Sequence, residues 1–294
     1  MPSVDANGIT IEYEIRGDGP PVLLIMGLGG QLTSWPDRFV DAFVDRGHQV
    51  ITFDNRDIGL SSETDCEVPS QGAMMRSMVS RRPLKGAGYT IDDMAGDAAE
   101  LLRGIGVGQA HVVGVSMGGM IAQALTINNS AMVKSLCSIM SNTGDQKHGL
   151  PKRSLLWKIR KFTSPSPADA VDLGVELSRL ISGPTFDPTE ERIHIKRGVD
   201  RSYRPAGTAR QTAAIAGSPD RTAGLHRVKV PTLVIHGLID PLVQPSGGMA
   251  TSRAVPGSRL LMFPDMAHDL PSTRTNEMVD AIVANFDRQP APVG

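Results

Sequence analysis

Cysteine, aromatic side chains and unbalanced charge are all scarce in this chain. It has 2 Cys, Cys66 and Cys137, set far apart with no C-x-x-C spacing and no histidine-rich partner. That pattern excludes a disulfide-stapled scaffold, offers no zinc ligand set and fits a reducing compartment. Lys and Arg number 30 against 31 Asp and Glu, for a net charge of -1, and no block of like charge occurs. Binding to nucleic acid or to an anionic membrane surface therefore has no electrostatic footing. No stretch approaches the roughly 20 uninterrupted apolar residues of a membrane span, so no integral membrane association is expected. Met1-Pro2-Ser3-Val4-Asp5 lacks the basic region and apolar stretch of a secretory leader, and a cytoplasmic location is the expectation. Internal repeats and low-complexity tracts are missing too.

What is present is a chain of 294 residues, enough for one large domain that buries a full core unaided. Gly8–Ile15 alternates apolar and polar residues, as a half-exposed strand does. Val22–Met26, Gln49–Phe53, Ala110–Val113, Val133–Met140, Thr232–His236 and Ser258–Phe263 are short apolar runs of the kind buried on both faces of a parallel sheet. Helical patterns separate them: one near Trp35 to Val44, one capped by Thr90 and reaching Leu102, and a last one over Asn276–Phe286. From Asn142 to Leu225 the strands disappear, and helix-like pieces (Ser154–Phe162, Ala168–Ile181, Glu190–Val199) alternate with Pro- and Gly-rich breaks. The expected organisation is an α/β core of residues 1–141 and 226–294, with 142–225 as a helical cap or lid insertion. The insertion is mildly basic, a weak hint of a substrate with an acidic group against the plainer reading of a solvated helical face. The tail from Arg288 is expected to fray.

The most informative segment is Gly114-Val115-Ser116-Met117-Gly118. It follows a buried strand and opens the apolar run Gly119–Leu125, so the serine stands on a strand-to-helix turn. G-x-S-x-G there is the nucleophile elbow: a turn so tight that only small residues fit beside the serine. The serine is expected to be strained, its hydroxyl raised above the sheet edge, with free helix N–H groups behind it. Taken alone the motif is modest, because a chain this rich in Gly and Ser meets it by chance.

A serine hydroxyl needs a base, and the base needs an acid that holds its tautomer. His268 lies on the loop between the strand ending at Phe263 and the last helix, and is the base candidate. Asp240, just past the strand ending at His236 on a turn stopped by Pro241, is the acid candidate. Asp265 is too close in sequence to orient His268 comfortably, and Asp145 is the fallback. Oxyanion donors are expected from the backbone N–H groups of Met117, straight after the serine, and of Leu28, in the Gly27-Leu28-Gly29 loop. Methionine is abundant, at 14 residues. Ordinary core filling accounts for any one of them. The group also suits an adaptable apolar pocket, for which Met26, Gly27, Met120 and Met140 are candidates and to which the cluster Met74, Met75 and Met78 would contribute. His236 is close enough to Asp240 to matter to it. His111 and Arg56 read as structural.

These motifs occur in the order of one family. Gly27-Leu28-Gly29, Asp54-x-Arg56-x-x-Gly59-x-Ser61, the Ser116 elbow, the Asp240 turn and Ala267-His268 resemble the α/β-hydrolase superfamily, and within it the aclacinomycin methylesterase group of bacterial esterases. The resemblance spans nearly the whole chain except the insertion. It implies an α/β-hydrolase fold, a mostly parallel central sheet flanked by helices with a helical cap, and a serine esterase that uses no cofactor and no metal. It carries the nucleophile to Ser116, the acid to Asp240, the base to His268 and the oxyanion donors to Leu28 and Met117. Met26 departs from the histidine common before this glycine, which makes the pocket wall more apolar. The expected partner is a small-molecule ester. Carbon–carbon bond hydrolases and cofactor-free haloperoxidases or perhydrolases share the same triad and stay open, as does a hydrolase fold that binds a ligand without turnover. A dehalogenase or epoxide hydrolase would want an aspartate at the elbow, and Ser116 argues against both.

Overall fold

The computed structural model describes residues 1–80, 82–159 and 166–288. Its elements in chain order are β1 (Ser3–Ala6), β2 (Ile9–Arg16), β3 (Pro21–Ile25), α1 (Asp37–Val44), β4 (Gln49–Phe53), α2 (Gln71–Ser80), α3 (Ile91–Gly104), β5 (Ala110–Val115), α4 (Met117–Asn128) and β6 (Val133–Ile139). Five helices follow: α5 (Arg153–Ile159), α6 (Pro167–Ile181), α7 (Pro188–Arg201), α8 (Pro205–Gly217) and α9 (Thr222–Leu225). The chain closes with β7 (Thr232–Gly237), α10 (Ser246–Ala254), β8 (Arg259–Phe263) and α11 (Thr275–Phe286). The expected cap helix over Ser154–Phe162 is seen as α5, its last residues lying outside the described ones, as does the expected frayed tail beyond Arg288.

The strands form one 8-stranded sheet in the order β1-β2-β4-β3-β5-β6-β7-β8. Pairing is antiparallel at β1–β2 and β2–β4 and parallel everywhere else. The inner parallel strands β3 to β7 are covered on both faces, whereas the edge strand β8, expected to be a core strand, is largely open to solvent; the inner side chains divide by the two-residue period of a strand. Leu23 and Ile25 of β3 join one core cluster with α3 and α4, whereas Val22 and Leu24 join the other with α1 and α11. Ile51 and Val50 of β4, and Val112 and Val113 of β5, divide the same way. Such burial removes each aliphatic side chain from water, worth about 1.5–3 kcal/mol apiece before the entropy of ordering. The strands' carboxyl ends, where ligands bind in sheets of this kind, carry the loops that hold the candidate site.

Thr90 caps α3 through a reciprocal box with Asp93, which explains why that helix begins there. In the turn after β4, Arg56 makes two 2.6 Å bonds to Asp97 of α3, both side chains buried. Arg56 thus ties down its turn, as its sequence context indicated. Among the described residues no helix is long and apolar enough to cross a membrane.

Candidate active site

The tightness of the elbow is measurable at its glycines. A Cβ on Gly114 would lie 2.1 Å from the Gly118 carbonyl oxygen, and one on Gly118 would lie 2.0 Å from that of Ile25. No side chain fits at either place. β5 runs into α4 with Ser116 between them at φ 55 and ψ -119. For a residue with a Cβ this left-handed backbone costs of order 1–3 kcal/mol. The bond from the Ser116 N–H to the Ile139 carbonyl, 2.9 Å, holds the turn on the neighbouring strand.

Ser116 stands at the N-cap of α4, where a serine hydroxyl ordinarily accepts from the helix. Here it makes no cap bond. Its Oγ faces His268 Nε2 at 2.9 Å. His268 Nδ1 faces Asp240 Oδ2 at 2.8 Å. An ionised carboxylate only accepts, so Nδ1 carries the proton and Nε2 is left to accept from the serine. The remaining oxygen of Asp240 accepts from the Leu242 and Val243 N–H groups at 2.8 and 2.9 Å. Burial raises the Asp240 pKa, but the charge and hydrogen bonds of His268 and His236 outweigh it and bring it down to about 2. The carboxylate is therefore held ionised although fully buried.

The two loops that carry Asp240 and His268 are fastened to each other. Gly237, at the end of β7, lies so close to the histidine loop that a Cβ on it would be 2.1 Å from the Met266 oxygen. Leu238 N–H bonds Phe263 O at 2.8 Å, and Ile239 N–H bonds Met266 O at 3.3 Å. This brings residues 28 positions apart into register. The other two acid candidates have partners of their own: Asp265 pairs with Arg274, and Asp145 with His148. His236 is fully buried and donates Nε2–H to Val243 O at 2.7 Å, 3.5 Å from Asp240 Oδ2. It braces the Asp240 turn. His111 is structural: its ring bonds Ser135 at 2.8 Å and stacks on Phe286 with centroids 3.8 Å apart.

The loop after β3 meets the serine directly. A Cβ on Gly27 would lie 3.2 Å from that of Ser116. Leu28 follows it, and Met117 follows the serine as the first residue of α4, where helix N–H groups have no partner within the helix. Met26 and Met140 pack in one core cluster, and Met117 and Met120 in the other, all four nearly sealed from solvent. Met140 has φ 42, at the turn just past β6. Met74 is on α2; the side chains of Met75 and Met78 lie outside the described residues. Among the described residues no group of three or more His, Cys, Asp or Glu is arranged to hold a metal.

Contacts from the helices between β6 and β7 had no signal in the sequence. His268 N–H donates to Ile181 O at the end of α6, 2.9 Å, and Asp269 accepts from Ala267 N–H at 3.0 Å and from Gly183 N–H at 3.1 Å. Gln211 of α8 accepts from Gly29 N–H, 2.9 Å. Arg201, Arg204 and Arg210 pair with Asp54, Glu63 and Asp57 of the β4 turn at 2.7, 3.2 and 3.0 Å. Three of the arginines in residues 142–225 are thus matched by carboxylates outside that segment.

Sheet order, elbow and strand-end loops together define an α/β-hydrolase. Residues 20–169 match the model of the alpha/beta hydrolase fold family, and the chain belongs to that family and is an enzyme of that fold. Among its relatives is rhodomycin D methylesterase DnrP of Streptomyces peucetius, 29% identical over 94% of this chain and 95% of that one. A putative non-heme bromoperoxidase, BpoC of Mycobacterium tuberculosis, is 27% identical over 88% of this chain and 91% of its own. The enol-lactonase of Burkholderia xenovorans LB400 superposes with a TM-score of 0.73 at 20% identity, covering 98% of this chain and all (100%) of that one, and so shares the fold.

Proposed function

We propose that this enzyme is a serine hydrolase that cleaves a carboxylic ester through an acyl-enzyme. The observation that carries the reading is the unbroken chain from Asp240 through His268 to Ser116, at 2.8 and 2.9 Å, with the serine turned away from its helix cap. His268 Nε2 takes the Ser116 proton as Oγ attacks the ester carbonyl. The N–H groups of Leu28 and Met117 hold the oxyanion of the tetrahedral intermediate; losing one such donor costs about 10²–10³ in kcat elsewhere. The imidazolium, stabilised by Asp240, gives its proton to the leaving alcohol. Water then enters, loses a proton to His268 and releases the acid. The methylesterase relative supports a methyl ester or another small-to-medium apolar ester, and Met26, Gly27, Met120 and Met140 are proposed for the pocket wall. Residues 142–225 are proposed as the cap over this site, supported by the bonds from α6 and α8 to its loops. A cytoplasmic location accords with the unpaired cysteines Cys66 and Cys137.

A second reading rests on the bromoperoxidase relative: hydrogen peroxide in place of water would release a peracid from the same acyl-enzyme. Hydrolysis of p-nitrophenyl esters of rising acyl length, by the native chain and by Ser116→Ala, tests the main reading. Ser116-dependent turnover is expected, with a chain-length optimum that sizes the acyl pocket. Equal turnover by a folded Ser116→Ala protein would sink it. Peroxide-dependent bromination of a dye in acetate, at a rate above ester hydrolysis, would favour the second.

A further inference from the structure

The loop Gly27-Leu28-Gly29-Gly30 is a β-turn. Gly30 N–H bonds Gly27 O at 3.2 Å, and Gly29 has φ +71. A left-handed third residue is the mark of a type II turn. Its middle peptide can flip to the type I form unless something holds it. On one side Gly27 is pressed against Ser116. On the other side the Gly29 N–H, part of that middle peptide, meets Gln211 Oε1 at 2.9 Å.

Gln211 is completely buried, a rare place for an amide unless both ends are used. Both are. Its Nε2 donates to Arg56 O at 2.9 Å, and its orientation is forced because one neighbour is an N–H and the other a C=O. The residue itself is rigidly mounted. Gly207, one helical turn earlier on α8, lies so close to the β4 turn that a Cβ would be 2.1 Å from Asp57 O. Ala214, one turn nearly later on the same face, sits in the main core. Thr208 covers Gly29, its Oγ1 3.1 Å from where a Cβ would be. Arg56 is in turn fixed by Asp97.

We infer that Gln211 is the positioning residue of the oxyanion loop: by bonding Gly29 N–H to a rigid helix of the insertion, it holds the turn so that the neighbouring Leu28 N–H stays aimed at the reacting carbonyl. It touches no reacting atom. It acts on a donor whose value lies in the transition state, so its loss lowers kcat and leaves KM nearly unchanged. A misplacement of about 1 Å in such a site costs up to about 10² in rate, so a loss of about 10- to 100-fold is expected.

This inference rests on the proposed acyl-enzyme reading. The test is steady-state hydrolysis of p-nitrophenyl acetate, with the rate of fluorophosphonate labelling measured beside it, for the native chain, Gln211→Met and Gln211→Glu. Methionine keeps the shape and removes both the acceptor and the donor; glutamate, protonated in this buried place, keeps an acceptor for Gly29 and an O–H donor for Arg56 O. Expected are a 10- to 100-fold lower kcat for the methionine variant at KM within about two-fold, a proportionate loss of labelling rate, and recovery of much of that loss with glutamate. Should methionine prevent folding, Gln211→Asn, too short to span Gly29 and Arg56, takes its place with the same expectations. A folded methionine or asparagine variant with native kcat, or one changed in KM alone, overturns the inference. Native protein without Ser116-dependent turnover fails the underlying reading instead.

Discussion

Asp240→Asn is the substitution that most sharply separates a working Asp–His–Ser relay from a fortuitous one. Asp240 uses its two oxygens differently. Oδ1 accepts from two backbone N–H groups, Leu242 and Val243, and Oδ2 accepts from His268. An asparagine keeps one oxygen. Placing its NH2 toward the backbone would leave two buried donors facing a donor, at about 1–3 kcal/mol each. The amide oxygen therefore stays with Leu242 and Val243, and the NH2 faces His268 Nδ1. That nitrogen must then accept, so the imidazole proton moves to Nε2, opposite Ser116 Oγ. The base is lost with the geometry intact. The equivalent change in trypsin costs about 10⁴ in kcat, or about 5.4 kcal/mol at 1.36 kcal/mol per decade. The assay is p-nitrophenyl ester turnover at neutral pH, with thermal unfolding to show that the fold persists. A folded Asp240→Asn protein retaining kcat within ten-fold of native, on the scale of that 10⁴ loss, would refute the relay.

Other outcomes follow from the packing. Gly118→Ala places a Cβ 2.0 Å from Ile25 O, a backbone atom that cannot step aside. It should cost upward of about 3 kcal/mol, seen as a lower urea midpoint or as insoluble protein, and native stability would contradict the close approach. Arg56→Ala strands the buried Asp97 carboxylate. A loss of about 3–5 kcal/mol is expected in urea unfolding, and the double variant Arg56→Ala with Asp97→Asn, which leaves neither charge uncompensated, should cost less than Arg56→Ala alone. His111 gives a pH signature. Burial lowers its pKa to about 4 from 6.5. The unfolded chain takes up a proton below pH 6.5 that the folded chain refuses, so stability falls as pH drops from about 6.5 and levels off near 4. The full span is about 3 kcal/mol, at 1.36 kcal/mol per unit. His111→Gln should flatten that limb of the stability curve, and an unchanged limb would show that another group is responsible.

The sequence carried the parts of the site whose signals are local. The elbow reads from five adjacent residues, because each glycine answers to a backbone contact only glycine tolerates. Asp240 and His268 could be placed because each follows the end of an apolar strand. The preference for Asp240 over Asp265 and Asp145 is supported by geometry: the strand-end loops lock together at Gly237 and Met266, and the other two pair with Arg274 and His148. β1 escaped notice because it is only four residues long and buries only Ala6. α10 escaped because Gly247 and Gly248 are poor helix formers; they are needed where the helix presses on Ser141 and His236. Gln211 was illegible for a different reason. Its bond to Gly29 joins residues 182 positions apart, and nothing in the run Thr208–Ala214 distinguishes a buried amide from an exposed one. The arginines of residues 142–225 likewise gave only a net sign, because their partners Asp54, Glu63 and Asp57 are far away in sequence.

The central claim is that Ser116 becomes covalently acylated. Intact-mass spectrometry after brief mixing with a slowly turned-over p-nitrophenyl ester, followed by peptide mapping, measures it directly. The account predicts one acyl group per chain, on the peptide that carries Ser116, and none on Ser116→Ala. Turnover by native protein with no adduct at any time, or an adduct confined to another residue, would contradict it.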